Sequence, residues 1–401
     1  MSSRSSTNID CHESSARAAW DVSLVGFGLP SDPRTFSGYA ANLLRGLREG
    51  GHVRREFSSK DLRTADVLRG AFAPRALVPV PRFSVSRRWM WGRSGNATLS
   101  DRLNRAIAAS GDRGSFLEVG TLVRIDPSLG PHYQLTDMTI AQARRSGHFA
   151  VGKLPGSFIA DAEKLQQEIL TSARHVFTLS EWTAASVRDD CGVPGERVTV
   201  VYAGSNLHVP LHVSAFRREH EILFVGMDWA RKGGPLLLEA FRSVRRVFPA
   251  ATLRVVGCDP GLREPGVRIE GLLDRRDPAQ FDLLCQAYLE ASCFCLPSTF
   301  DPFPNAIIEA MSLGLPAVAF DTGSRREAVV DGETGFLARD GDVGDLARAI
   351  TQLFEDPERR RVMGEQARKR VERDFTWGRV VERIGTVIER DARTMAFAAN
   401  G

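Results

Sequence analysis

Short apolar runs and helical stretches alternate along this chain, and the alternation predicts its architecture. "DVSLVGFGL" (21–29) is an apolar run entering a glycine-containing loop, the pattern of a buried strand. "SGYAANLLRGLREGGH" (37–52) follows with helical spacing. Leu43, Leu44 and Leu47 share one side, and Gly50-Gly51 supply a helix end. Strand, glycine loop and helix in that order open an α/β unit. "SFLEVGTLVRI" (115–125), "HYQLTDM" (132–138), "HVFTLS" (175–180) and "RVTVVYAG" (197–204) read as further strands, with the helical "EWTAASVRDDCG" after the third. The polar stretch "SNLHVPLHVSAFRREHE" (205–221) has no period and predicts a domain boundary. A second series follows: strands "ILFVGM", "ATLRVVG", "CFCLP" and "PAVAFD", and helices "GPLLLEAFRSVRRVF", "DLLCQAYLEA", "NAIIEAMSLG" and "VGDLARAITQLFED". Alternation this regular predicts parallel sheets covered on both faces.

The expected organisation is therefore α/β, with two doubly wound domains in tandem. Residues 1–19 are expected to be a disordered tail, 20–205 the first domain, 206–378 the second and 379–401 a closing helix. Ligands of such sheets bind at the carboxyl ends of the strands, which makes the cleft between the domains the expected site. A length of 401 residues suits two domains. The formal charge is +4, with a pI near 8.8. That balance fits an anionic small ligand or an acidic membrane surface and falls short of a nucleic-acid footprint. The six cysteines form no C-x-x-C pair and read as reduced thiols, with Cys293 and Cys295 on one face of a strand. No metal site is expected. The first twenty residues lack an apolar h-region, and no run of eighteen apolar residues occurs. The expectation is a cytoplasmic protein, with at most peripheral contact at the inner face of a membrane.

Two stretches carry candidate chemistry. In "DPFPNAIIE" (301–309), Pro302 and Pro304 push Asp301 and Phe303 into extended conformations. Asn305 is expected to cap a helix starting at Ala306, whose first-turn N–H groups, on Ala306, Ile307 and Ile308, would form an anion or hydroxyl acceptor site. Glu309 lies one turn inside that helix. In "FVGMDWARKGG" (224–234), Arg231 and Lys232 sit between a strand and a helix, where two cations fit a diphosphate, and Gly233 and Gly234 would let the backbone approach a ligand. Each stretch also has a plainer reading, as helix-dipole chemistry and as a solvated basic turn.

Together, in this order and separation, the two stretches resemble glycosyltransferase family 4, whose members have the two-domain GT-B fold. The trailing "GLPAVAFDTGSRREAVVDGETGFL" and "GDLARAI" match too. The resemblance is strong over 222–378 and weaker over 21–205. It implies two Rossmann-like domains facing across a cleft and a retaining, metal-independent hexosyltransferase that needs no cofactor beyond its nucleotide-sugar co-substrate. Lys232 and Arg231 would neutralise the donor diphosphate, Glu309 would hold the ribose hydroxyls and Asp301 the hydroxyls of the transferred sugar. Phe303, Pro304 and Asn305, with Ala306 and Ile307, would line the sugar pocket. Gly226 and Gly233 would flank the phosphates, Ser37 and Gly38 would face them from the first domain, and Ile269 in "GVRIEGLL" would lie near the base.

Three positions depart from the family pattern. Asp301 stands where Glu is usual, Met227 where Arg is usual, and Thr136 where a His precedes Asp137, which makes Asp137 the candidate for contacting the acceptor hydroxyl. The partners expected are a nucleotide sugar and a hydroxyl acceptor on a glycan, lipid-linked saccharide or other glycoconjugate. Two alternatives stay open: a catalytically weak nucleotide-sugar-binding partner subunit, and a nucleotide-sugar epimerase or hydrolase of the same fold. "DGD" (340–342) reads as a turn with a helix cap rather than a metal motif. "RRWMWGR" (87–93) reads as a partly buried segment with snorkelling arginines.

Overall fold

The computed structural model describes residues 20–32, 35–59, 91–147, 154–207 and 218–400, with no side-chain description for Ser37 and 398–400. The expected tail, most of "RRWMWGR" and much of the polar 205–221 stretch lie outside these residues. The chain forms two parallel six-stranded sheets. In the first, β1 (Val22–Gly26), β2 (Val53–Ser58), β3 (Ser115–Val119), β4 (His132–Thr136), β5 (His175–Thr178) and β6 (Val198–Val200) take the order β2-β1-β3-β4-β5-β6. In the second, β7 (Glu221–Val225), β8 (Thr252–Val256), β9 (Val267–Gly271), β10 (Cys293–Cys295), β11 (Ala317–Phe320) and β12 (Gly335–Ala338) take the order β12-β11-β10-β7-β8-β9. In both sheets the order reverses beside the first strand, and the carboxyl ends there open a crevice. β1, β4, β5, β7, β10 and β11 are buried throughout, as the apolar runs require.

Some expectations are corrected. "SFLEVGTLVRI" is not one long strand: β3 stops at Val119. Gly120 takes φ +119, and the Glu118 carboxylate accepts from the backbone N–H of Leu122 at 3.0 Å and of Val123 at 3.1 Å, which folds the chain back. Polar β2 has no apolar run to betray it. It is an edge strand held by β1, with Arg54 bound to Asp21 at 2.6 Å. The helices Arg93–Ser110, Gly156–Ser172 and Pro357–Asp374 also escaped the pattern reading. Asn96, part of an N-x-T triplet, is buried in the first of these and donates to Leu122 O at 2.5 Å, so it is no surface acceptor.

The last helix, Trp377–Asn400, returns to the first domain. Trp377 packs edge-on to Tyr39, the first residue of the Tyr39–Glu49 helix, at 4.8 Å. Arg174 pairs with Asp391 at 3.3 Å. Between the sheets, residues 201–207 are tied to this crossing. Trp377 donates to Ser205 O at 2.9 Å, and Arg383 donates to Val201 O at 3.1 Å. Tyr202 there has φ +61, a costly conformation for an aromatic residue, and its ring is held by Arg383 and Phe375.

Gly385 tests the crossing. A Cβ at this position would lie 2.6 Å from the Trp20 ring, which is itself stacked on His52 at 3.9 Å. Overpacking of this kind costs about 1–3 kcal/mol. Gly385→Val is therefore expected to lower stability by that amount in denaturant unfolding, while Gly378→Val, where the nearest atom stands 4.0 Å away, changes it far less.

Candidate active site

β7 ends at Val225, and the chain turns through Gly226, Met227 and "DWARKG" into the Gly234–Val247 helix. Gly233 holds φ +79, and a Cβ there would fall 1.7 Å from Pro297 O. A Cβ on Gly234 would strike the Trp229 ring at 2.1 Å. These two glycines thus let protein approach protein closely, a role the sequence pattern did not suggest. The loop after β7 lies flush on the loop after β10 as a result. Thr299 N donates to Arg231 O at 3.0 Å, and Arg231 Nη1 donates to Phe300 O at 3.0 Å. Arg231 also faces Asp228 at 3.5 Å. It braces the second loop.

Lys232 Nζ meets Asp301 Oδ2 at 2.5 Å, with both side chains largely shielded. The two principal charges of the two motifs are therefore partners. Ser324 Oγ lies 3.3 Å from Asp301 O, and the buried Arg325 lies close enough for Asp301 to stabilise its charge. Arg325 donates through Nε to Phe320 O at 3.3 Å, its Nη1 finds no partner, and burial lowers its pKa. A charge so poorly hydrogen-bonded is costly and needs nearby carboxylates. It sits in "GSRRE", a stretch the sequence reading matched but did not credit with a role.

The helix after β10 runs Asn305–Ser312, one residue earlier than expected. Asn305 is inside it and caps nothing, and its Oδ1 is buried without a partner. Ile307 and Ile308 donate to Pro304 O at 2.9 and 3.2 Å, and both side chains belong to the core. Of the three N–H groups expected to be free, only that of Ala306 remains. Phe303 is buried against Tyr202 and Phe375, which ties this loop to the crossing.

Glu309 is fully buried. Arg275 grips it with a fork, Nη1 to Oε1 at 2.7 Å and Nη2 to Oε2 at 2.8 Å, and Tyr288 donates its hydroxyl to Oε2 at 3.0 Å. The sequence reading named neither partner. Met227 is 77% exposed and Leu272, just past β9, 66% exposed. Ile269 on β9 is half-buried.

From the first domain, Asp137 follows β4. Burial pushes its carboxyl up to about 6, and the charge of Asp301 adds to the shift, against N–H donation from its own backbone and that of Met138. Burial, and after it the charge of Asp137, raises the pKa of Tyr39, whose hydroxyl donates to Tyr202 O at 3.2 Å. Gly38, at φ +84, precedes Tyr39 and closes the short turn that holds Ser37. The structure thus gathers Asp137, Lys232 and Asp301 at the facing strand ends, with Tyr39, the residue after Gly38, near Asp137. A direct bridge joins the domains nearby. Glu327 accepts from the backbone N–H of Glu181 at 2.7 Å and Trp182 at 2.9 Å, at the start of the Glu181–Asp189 helix, and Trp182 packs edge-on to Phe300 at 6.0 Å. Among the described residues, no three His, Cys, Asp or Glu side chains converge as a metal site. Asp342 of "DGD" caps its helix by accepting from Asp345 N at 2.9 Å.

Two facing Rossmann-like domains with their charged groups at the crevice define the GT-B class of fold. Residues 213–370 match the family model described as glycosyl transferases group 1. D-inositol 3-phosphate glycosyltransferase of Nocardia farcinica is 30% identical over 236 residues, covering 56% of this chain and 52% of that protein. Glycogen synthase of Mycobacterium tuberculosis is 29% identical over 165 residues, 39% of each chain. The chain spans about half the length, or less, of these curated relatives. Sucrose-phosphate synthase of Thermosynechococcus elongatus superposes with a TM-score of 0.67 at 19% identity, over 95% of this chain and 100% of its own. HepE of Anabaena, in complex with UDP and glucose, superposes with a TM-score of 0.59 at 16% identity, over 92% and 99%. The matched model and the curated relatives show similarity to glycosyl transferases group 1 over part of the chain, and the superpositions show the GT-B fold. Among the described residues, no helix is long and apolar enough to cross a membrane.

Asp137 gives a pH test. Its folded-state pKa of about 6 stands above the ordinary 3.8, so the folded protein binds the extra proton between these values. Its contribution to stability is complete below about pH 4 and is lost as pH rises through 6. Asp137→Asn is expected to match wild type in stability near pH 4 and to exceed it by on the order of 1–3 kcal/mol above pH 7. Denaturant melts of both proteins across that range check it.

Proposed function

We propose that this protein is a retaining, metal-independent glycosyltransferase that moves a hexose from a nucleotide sugar to a hydroxyl acceptor. The contact between Lys232 and Asp301 carries this reading. A cation and a carboxylate lie side by side there, at the mouth of β7 and β10, and the charge of Asp301 reaches Asp137 of the first domain. In the reading, the donor separates the pair. Lys232 turns to the diphosphate, Asp301 to hydroxyls of the sugar, and Glu309 to the ribose. The bond from the anomeric carbon to the phosphate oxygen breaks while a bond to the acceptor oxygen forms, negative charge builds on the departing diphosphate, and the acceptor's hydroxyl proton passes to that departing oxygen. A fixed cation stabilises that charge more in the transition state than in the ground state. In the same reading, Asp137 of the first domain accepts a hydrogen bond from the acceptor hydroxyl. The unpartnered Asn305 Oδ1 and the Ala306 N–H are polar groups that a sugar would satisfy. Uridine nucleotides are the first probes to try, because the similar HepE structure holds UDP and glucose. The acceptor is a saccharide, lipid-linked saccharide or other glycoconjugate, reached from the cytoplasm, with at most peripheral contact with the membrane.

A second reading, a nucleotide-sugar-binding partner subunit, draws on the exposed Met227 at a position where the family carries Arg. It differs by binding without turnover. The test is a panel of nucleotide sugars against purified protein, read by thermal shift and by slow donor hydrolysis. One donor is expected to raise the melting temperature and be hydrolysed at a rate unchanged by EDTA. Lys232→Ala is expected to lower that rate about 10²–10³-fold, the scale of losing one fixed transition-state contact. Binding without hydrolysis or transfer to any acceptor favours the partner-subunit reading, and no binding by folded wild type overturns both.

A further inference from the structure

Glu309 is the carboxylate that the nucleotide-sugar reading gives to the ribose, yet in this structure it is already taken. Both oxygens receive a guanidinium N–H from Arg275, at 2.7 and 2.8 Å, and Oε2 also receives the Tyr288 hydroxyl at 3.0 Å. Tyr288 is buried and belongs to the Pro278–Glu290 helix. Arg275 comes from the turn after β9 and leaves 42% of its side chain exposed, against 2% for Glu309. The solvent side of Glu309 is therefore roofed by one flexible, half-exposed side chain, while its inner side rests on a fixed one. A parallel fork uses the two outward lone pairs of a carboxylate. A vicinal diol binding end-on to the same carboxylate needs those same lone pairs. The two ligands are mutually exclusive.

Resting on the reading above, we infer that Arg275 is a positioning residue that holds Glu309 closed in the donor-free protein and is exchanged for the two ribose hydroxyls when nucleotide binds. The fork keeps a buried carboxylate paired and correctly turned until the diol arrives, which avoids the cost of a lone buried charge. The exchange gives up two bonds charged at both ends for two charged only at the carboxylate, so Arg275 works against nucleotide affinity. It also sharpens selection. A ribose with both hydroxyls replaces both bonds of the fork, whereas a 2′-deoxyribose offers one hydroxyl against two bonds and leaves the fork in place. The cation is specific to this role: Arg276, the next residue, folds back on Asp274 and does not reach Glu309.

Calorimetric titration of the full chain with UDP, GDP and ADP, and with the 2′-deoxy form of whichever binds, tests this. Arg275→Met keeps the stem and removes the fork. It is expected to tighten the ribonucleoside diphosphate by about fivefold or more, and to shift the 2′-deoxy form less than about twofold. Arg275→Lys, which keeps the charge but cannot fork, is expected to tighten the ribo form as well. Weaker binding of both nucleotides by Arg275→Met would make Arg275 a phosphate contact and overturn the inference. An equal shift of both forms would make it a purely structural tie, with the same consequence. Thermal unfolding of each variant guards against misfolding. If no nucleoside diphosphate binds wild type, the donor reading itself falls and the inference with it, an outcome distinct from the two above.

Discussion

The site depends on one close approach. Pro297 O lies where a side chain on residue 233 would begin, so only glycine lets the loop after β7 press onto the loop after β10. From that contact follow the tie between Thr299 and Arg231, the bond from Arg231 to Phe300 O, and the meeting of Lys232 with Asp301. The two loops belong to neighbouring strands of the second sheet, at the point where strand order reverses. A side chain at 233 would part them and with them the charges they carry.

The electrostatics of the cleft are those of exchange. Three carboxylates, Asp137, Asp301 and Glu309, stand on or near the facing strand ends. Lys232 occupies Asp301, Arg275 occupies Glu309, and Arg325 adds its buried charge near Asp301. Burial, with the charge of Asp301 added to it, pushes the Asp137 carboxyl up. These pairings keep much of the cleft's charge neutralised, which limits the desolvation cost of clustering like charges.

Coupling between the domains runs along two routes. The crossing at Trp377, Ser205 and Arg383 ties the second domain's last helix to the strained connector at Tyr202. The bridge from Glu327 to the Glu181 and Trp182 N–H groups places a carboxylate of one domain on the positive end of a helix of the other. Burial pushes the Glu327 carboxyl up while those two N–H groups pull it down. Phe303 touches Tyr202 and Phe375, so the acid-bearing loop is packed against the connector itself.

The sequence by itself determined the α/β class, the two-sheet organisation and the positions of Lys232, Asp301 and Asp137. Buried parallel strands must be written as apolar runs, and charged residues at their ends stand out against them. It left β2 unread, because an exposed edge strand carries no such run, and it made β3 too long, because the fold-back at Gly120 rests on a carboxylate bonding two residues several positions away. It placed the cap on Asn305, where propensity favours it, although the helix begins at that residue. Tertiary structure alone decided the pairings. That Gly233 serves Pro297, that Arg231 braces Phe300, and that Arg275 covers Glu309 are contacts between residues 34 to 69 positions apart, which local pattern does not encode. Hydrophobic periodicity is a property of neighbours along the chain, whereas the partner of a buried charge is fixed by the packing that excludes water around it.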